Sequence, residues 1–196
     1  MRYSPDHKAK THQRIIKEAS TRFRRDGIDA TGLQPLMKSL SLTHGGFYAH
    51  FKSKTDLVEK ALQAAAEELD AHCEILFSQE RPLEAFIDSY LSDWHHTSPG
   101  EGCPLPTMSS ELGLRGQHSA TTDAVLGARL KQIEAVLGDG RGDAAGLVMM
   151  STLVGALVLA RSVEDVRLAT RIMAVVRESL KTRLPQDEKA GQKPAS

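Results

Sequence analysis

Apolar residues recur along this chain at three- and four-residue intervals, the spacing of a helix with one buried face. Between Lys8 and Asp26, Ile15, Ile16, Ala19 and Phe23 share such a face, and Gly27 supplies the stop. Leu33, Leu36, Met37 and Leu40 predict a short second helix, about Leu33 to Leu40. Ser41-Leu42-Thr43 breaks its pattern, and the Thr43 hydroxyl is placed to cap a third helix, about His44 to His50. Phe47 and Phe51, at i and i+4, would pin that helix inward. A long helix follows from Lys54 or Thr55 to about Phe77, with Leu57, Ala61, Leu62, Ala65, Leu69, Cys73 and Leu76 inward. Arg81-Pro82 opens a helix from Leu83 to about His96, with Phe86, Ile87, Tyr90, Leu91 and Trp94 on one side. Pro104 begins another to about Leu114, leaving Cys103 at the cap. Three more run over about Thr121–Leu137, Asp143–Arg161 and Glu164–Arg183, with loops by composition at Thr97–Gly102 and Gly138–Gly142. The pattern predicts an all-α protein of about nine helices.

Composition agrees, with aromatics at 5% and Ala, Leu and Val prominent over 196 residues, enough for one or two domains with a sizeable core. The formal net charge is +0, yet it is unevenly spread: residues 1–54 hold 11 Lys/Arg against 4 Asp/Glu, and the remainder 14 against 21. A basic N-terminal part on an acidic body implies that only the first part meets a polyanion. The N-terminus is polar through His12, so no secretory core is expected. The apolar run Ala144–Ala160, interrupted by Gly, Ser and Thr, reads as shorter than a membrane span. Cys73 and Cys103 form no disulfide framework. These readings place the protein in the cytoplasm. They divide it into residues 1–53, residues 54–184, and a polar, disordered tail over 185–196. Met1–His7 reads as a loose arm in which Arg2 could reach DNA.

The segment Leu33–Lys54 carries the chemistry. Beside the Phe47 and Phe51 anchor, His44, Gly45, Tyr48 and Ala49 leave a narrow face of small or polar groups, as a helix in a major groove requires. The run Thr43-His-Gly-Gly-Phe-Tyr-Ala-His-Phe-Lys-Ser-Lys54, with Thr55-Asp56-Leu57 after it and Ile15, Ile16, Ala19, Phe23 and Gly27 before it, resembles the DNA-binding signature of TetR-type repressors. The resemblance covers about Lys10 to Leu62. It departs from the common pattern at Ser41, where a Gly often stands, and at Gly45-Gly46. Each of those glycines costs about 0.8–1.0 kcal/mol of helix stability relative to Ala, which favours close backbone approach or a helix left partly unformed without DNA. Base-edge contact falls to Thr43 and His44, and to Gly45 through its backbone. The resemblance implies phosphate contact by Tyr48 and Lys54, with His50 either a phosphate ligand or a packed histidine. Thr31 reads as the cap of the second helix, and the resemblance adds a phosphate contact there.

In the body the resemblance implies an inducer pocket, with Phe86, Tyr90, Trp94, Met108, Met149 and Leu153 as candidate lining, each of which also fits plain core. Cys103, at a helix start, is either a low-pKa sensor of electrophiles or a small packing residue; Cys73 is core. His95-His96 with Glu101 and Cys103 is a poor metal constellation, Glu68 and His72 read as a surface pair, and no catalytic motif or cofactor-binding loop is present. The last two helices carry more apolar residues than one inward face needs, among them Leu147, Val158, Val166 and Val175, which implies a partner surface. By resemblance that partner is a second copy. The expected function is a repressor that binds a palindromic operator as a homodimer and is released by a small molecule. The alternatives are a helical carrier or enzyme whose N-terminal segment does not read DNA, and an activator.

Overall fold

Nine α-helices carry most of the residues described by this computed structural model, 5–138 and 142–184, and no strand occurs among them. The expectations for Arg2, for the middle of the Gly138–Gly142 loop and for the 185–196 tail fall outside the described residues. Helix α1 spans Pro5–Asp26, α2 Leu33–Ser39, α3 Lys54–Phe77, α4 Pro82–Tyr90 and α5 Asp93–Thr97. Helix α6 covers Ser110–Leu114, α7 Ala120–Leu137, α8 Gly142–Ser162 and α9 Val166–Lys181. The expected third helix is a 3-10 turn, His44–Ala49, and short 3-10 and π turns at Pro99–Glu101 and Leu105–Ser109 lead into α6.

Two buried clusters organise the chain. The first joins Ile15, Ala19 and Phe23 of α1, Leu36 and Met37 of α2, Phe47, Phe51, and Leu57 to Leu62 of α3. It also takes Met108 and Leu112 from the other side of the 99–116 segment. The second, larger cluster holds α4, α7, α8 and α9 around the C-terminal half of α3, with Ile87, Leu91, Leu153 and Leu157 fully buried. Burying a side chain of this kind stabilises by about 1.5–3 kcal/mol, so both clusters are hydrophobic cores in their own right, and α3 is common to them.

Three further expectations differ. The helix expected over 83–96 breaks at Leu91: Ser92 caps α5 by accepting from His95 N at 3.1 Å, and its own hydroxyl donates back to Ser89 O. That local competition with the backbone is what serine does near a helix end. Thr31 does not cap α2. Gly32 occupies that position without a side-chain bond, while the buried Thr31 hydroxyl donates to Gly27 O at 2.7 Å. The segment after Cys103 is a π turn followed by a five-residue helix, so Cys103 does not stand at the start of a long helix.

Helix α8 is also longer in apolar character than the sequence reading allowed. Ala144–Ser162, 19 residues of mean hydropathy 1.8, is long and apolar enough to cross a membrane. In this fold it lies between α7 and α9, burying Met150, Leu153, Leu157 and Ala160 in the body core. Its opposite face leaves Leu147, Val148, Val158 and Leu159 exposed, as α9 leaves Val166, Leu168 and Val175.

The turn into the 44–49 segment passes through Ser41 at φ 61°, the left-handed region that glycine enters freely and serine does not. Strain of this kind costs of order 1 kcal/mol. Ser41→Gly is therefore expected to raise the unfolding free energy by about 1 kcal/mol; a stability loss in urea titration would contradict it.

Candidate nucleic-acid interface and body cavity

The exposed face of the 44–49 turn is built from the anchor outward. Phe47 and Phe51 are buried and stacked with centroids 5.3 Å apart, which fixes the turn against α1 and α2. Thr43 caps it by accepting from Gly46 N at 3.2 Å. With six residues, two of them glycine, the segment has too little helix propensity to complete an α-helical turn. Thr43, His44, Gly45 and Tyr48 all face solvent; Tyr48 is 62% exposed and meets His44 edge-on at 6.0 Å. A Cβ at Gly45 would touch nothing within 4 Å, so this part of the backbone is open to close approach. Beside the turn a concavity of about 440 Å³ runs to the N-terminal part of α1, reaching Lys8 and Thr11.

The remaining candidates for DNA contact separate from that face. His50 is half-buried, its ring near His12 and Phe51, and its Nδ1 is buried without a hydrogen bond. Burial first, then His12 and Lys8, lowers its pKa, which disfavours the charged ring that would bind phosphate. Lys54 starts α3 half-buried, beside a cavity of about 270 Å³ lined also by Ile28, Leu112 and Arg115, with Asp29 and Glu111 near its charge. Burial lowers its pKa too. Thr31 is buried and its hydroxyl is committed to Gly27, which removes it from the surface and from phosphate.

In the body, Phe86, Tyr90, Trp94 and Cys103 come together around one cavity of about 150 Å³. Met149 and Leu153 are buried in the same core but stand outside its lining, and Met108 belongs to the cluster under the N-terminal module. Sequence reasoning missed Leu69, Cys73 and Leu76 on the cavity's α3 side, and Ser89, His95 and Gly102 opposite. It had noticed Glu68, His72, His95 and Glu101, but as surface or metal candidates, and Cys103 as a sensor thiol or packing residue. They share this one wall, although among the described residues no three His, Cys, Asp or Glu groups are placed to hold a metal ion.

The wall is stapled by a histidine. His95 Nδ1 lies 2.7 Å from Tyr90 O, and Cys103 N donates to Nε2 at 3.0 Å, so Nδ1 carries the proton and the ring is neutral. Burial drives its pKa down to about 4. Burial likewise pushes the Cys103 thiol up to about 11. Of the two readings of Cys103, burial favours the packing residue: desolvation outweighs any helix dipole, and a thiolate is disfavoured at neutral pH. The buried Tyr90 hydroxyl has only the Cys103 sulfur, a weak acceptor, to point at, and finds no stronger partner.

Two welds tie this wall to the N-terminal module. The Pro99–Glu101 turn lies on α1 so closely that a Cβ at Gly100 would stand 2.9 Å from Thr21 Cγ2. Buried Arg24 of α1 donates to Gly102 O at 3.0 Å and to Glu68 Oε2 at 2.7 Å, and both acceptor residues line the cavity. Further on, the Glu111 carboxylate accepts from Ile28 N at 2.8 Å and Asp29 N at 3.2 Å, while Arg115 pairs with Asp29. Arg161 of α8 holds the other end of the wall by donating to His95 O and His96 O.

A short two-helix reader with an exposed polar turn, mounted on a helical body with its own cavity, is the build of a helix-turn-helix regulator. Residues 15–61 match the family of bacterial regulatory proteins described as the tetR family. That match spans the reader, and over most of its length the chain is similar to HTH-type transcriptional regulators. An HTH-type transcriptional regulator of Mycobacterium tuberculosis (strain CDC 1551 / Oshkosh) is 25% identical over 186 residues, covering 89% of this chain and 96% of the relative. The HTH-type transcriptional repressor KstR2 of Mycolicibacterium smegmatis is 27% identical over 92 residues, 46% of this chain and 45% of that protein. A TetR transcriptional regulator from Chloroflexus aurantiacus has a similar fold, with a TM-score of 0.74 at 22% identity over 91% of this chain and 98% of that one. The reduced form of E. coli NemR gives a TM-score of 0.74 at 16% identity, over 91% and 99% of the two chains.

Proposed function

We propose that this protein is a repressor that binds a palindromic operator as a homodimer and leaves it when a small molecule fills the body cavity. The observation that carries the reading is the Arg24 weld: one guanidinium of the reader's first helix is held by two residues of the cavity wall. A ligand that moves Gly102 or Glu68 thereby acts on the orientation of α1. It can release DNA only if it binds the non-reading arrangement more tightly than the reading one.

In this reading residues 1–53 are the reader, residues 54–184 the ligand and dimer body. Thr43, His44 and the Gly45 backbone meet base edges, Tyr48 meets phosphate, and Lys54 reaches phosphate on turning out of its cleft. The exposed apolar residues of α8 and α9 support pairing with a second copy, since an unpartnered face of that kind is costly in water. Two readers would then meet half-sites about 34–36 Å apart, or a multiple of that. The function needs no catalytic group and no cofactor, and it is exercised wherever the operator DNA lies.

Selection of genomic fragments on the purified protein tests it. Recovery of a palindrome whose binding falls steeply with salt supports the repressor reading; recovery of nothing at low salt returns the chain to the carrier or enzyme alternative. Tyr48→Ala is expected to weaken every recovered sequence alike, whereas His44→Ala should relax preference at one position by about 1–3 kcal/mol. Equal behaviour of the two variants in a competition assay would remove this division of roles.

A further inference from the structure

The deep groups of the body cavity are polar in type but uncharged in state. His95 spends both ring nitrogens on backbone, and the Cys103 thiol is kept protonated. Of the two carboxylates at the rim, Glu68 is committed to Arg24 and Glu101 is exposed to solvent. An anion entering here would meet those carboxylates and leave water for a site with no unpaired cation in its lining. A cation could meet Glu101 only at the wet end. Burying either ion is expensive without a partner. One group, however, is poorly served: the hydroxyl of Tyr90, a residue of the cavity wall 4% exposed, has only the Cys103 sulfur beside it, a weak acceptor. Phe86 and Trp94 give the cavity aromatic walls, and its 150 Å³ is the scale of a void that accommodates a benzene ring.

We propose that the cavity takes a neutral, roughly one-ring apolar molecule bearing a hydrogen-bond acceptor, and that Tyr90 is the residue that selects it. This rests on the ligand-responsive reading above and names the chemical class of its ligand. The acceptor, a carbonyl or ether oxygen, takes the hydrogen bond that the Tyr90 hydroxyl otherwise offers only to the Cys103 sulfur. The ring fills the space between Phe86, Trp94 and Leu69.

Calorimetric titration of the full chain with four probes of one size tests the assignment: acetophenone, ethylbenzene, benzoate and benzylammonium. Acetophenone is expected to bind about three- to tenfold more tightly than ethylbenzene, the worth of one buried neutral hydrogen bond, with both ions weaker. Tyr90→Phe removes the hydroxyl and its weak contact with Cys103, so it should fold, and it should erase the preference for acetophenone over ethylbenzene. Leu69→Phe, or Ser89→Leu where the first is unstable, narrows the cavity and should abolish binding of all four. If an ion binds as tightly as acetophenone, or the preference survives in Tyr90→Phe, the ligand class is wrong while the cavity remains the site. If no probe binds, or the narrowed variants bind like the unaltered protein, the cavity itself is not the site and the proposal fails with it.

Discussion

Arg24→Met is expected to lower the unfolding free energy by about 3 kcal/mol, and to weaken the response of DNA binding to ligand. The substitution keeps the buried stem and removes the head. What is lost is a charge-assisted hydrogen bond to Gly102 O, worth about 1.5–3 kcal/mol, together with the penalty of leaving that carbonyl unpaired between two elements. The pair with Glu68 adds less, because the Glu68 side chain is 48% exposed and regains water when its partner goes. For a chain of this length the loss corresponds to a fall in melting temperature of roughly 6–12 °C. The effect on signalling is separable from the effect on stability. Of its three acceptors only Ser20 O lies in α1 itself, and the other two, Gly102 O and Glu68, belong to the cavity wall, so the variant is expected to hold DNA while losing about 2- to 30-fold of ligand coupling, the usual range for residues between two sites. Arg24→Lys keeps the charge but cannot span both acceptors, and should fall between the two. A loss below 1 kcal/mol with an unchanged ligand response would show that the weld transmits nothing.

That residue also marks where the sequence stopped being readable. Arg22, Arg24 and Arg25 look alike in a basic helix, and only the fold distinguishes them. Arg24 turns inward to a carbonyl 78 positions away, whereas Arg22 pairs with Glu18 and Arg25 with Asp26 on the surface. Arg129 is the same case, a charge in an apolar helix that is buried against Asp70. Local periodicity was enough for Ile15 to Phe23, for Phe47 and Phe51, and for the exposed face of Thr43, His44 and Tyr48, because those positions follow from spacing within one segment. It could not separate Met108 from Phe86, since both are apolar at helical spacing and only tertiary contact sends one to the reader and the other to the cavity. Cys103 stayed open between two readings for a further reason. A thiol's chemistry depends on whether water reaches it, and desolvation is invisible in a pattern of residue types. The Gly45-Gly46 pair, by contrast, signalled the weak helix directly, through a propensity cost that six residues cannot offset.

Gly102→Ala is expected to cost at least about 3 kcal/mol, the scale of forced overpacking at a buried site. A Cβ there would lie 2.2 Å from His95 Cδ2 and 2.3 Å from Nε2, and the ring can step aside only by giving up Tyr90 O and Cys103 N, which hold it from both ends. The same clamp makes an acid-dependent signature. The unfolded histidine takes a proton near pH 6.5, while the buried one resists until about pH 4. Between those values the unfolded state binds more protons, so stability falls as pH is lowered from 6.5 towards 4, by up to about 3 kcal/mol from this residue. In Gly102→Ala the ring is pushed out of its clamp and into water, so the acid slope over that window should flatten as well. Urea titrations from pH 4 to 7 on both proteins measure the two effects together. A double-mutant cycle then separates the clash from the backbone: in a His95→Ala background the added methyl meets no ring, and Gly102→Ala should become nearly neutral. If it stays as damaging there as in the unaltered protein, the glycine is needed for its own conformation, and His95 is not the group that defines this wall.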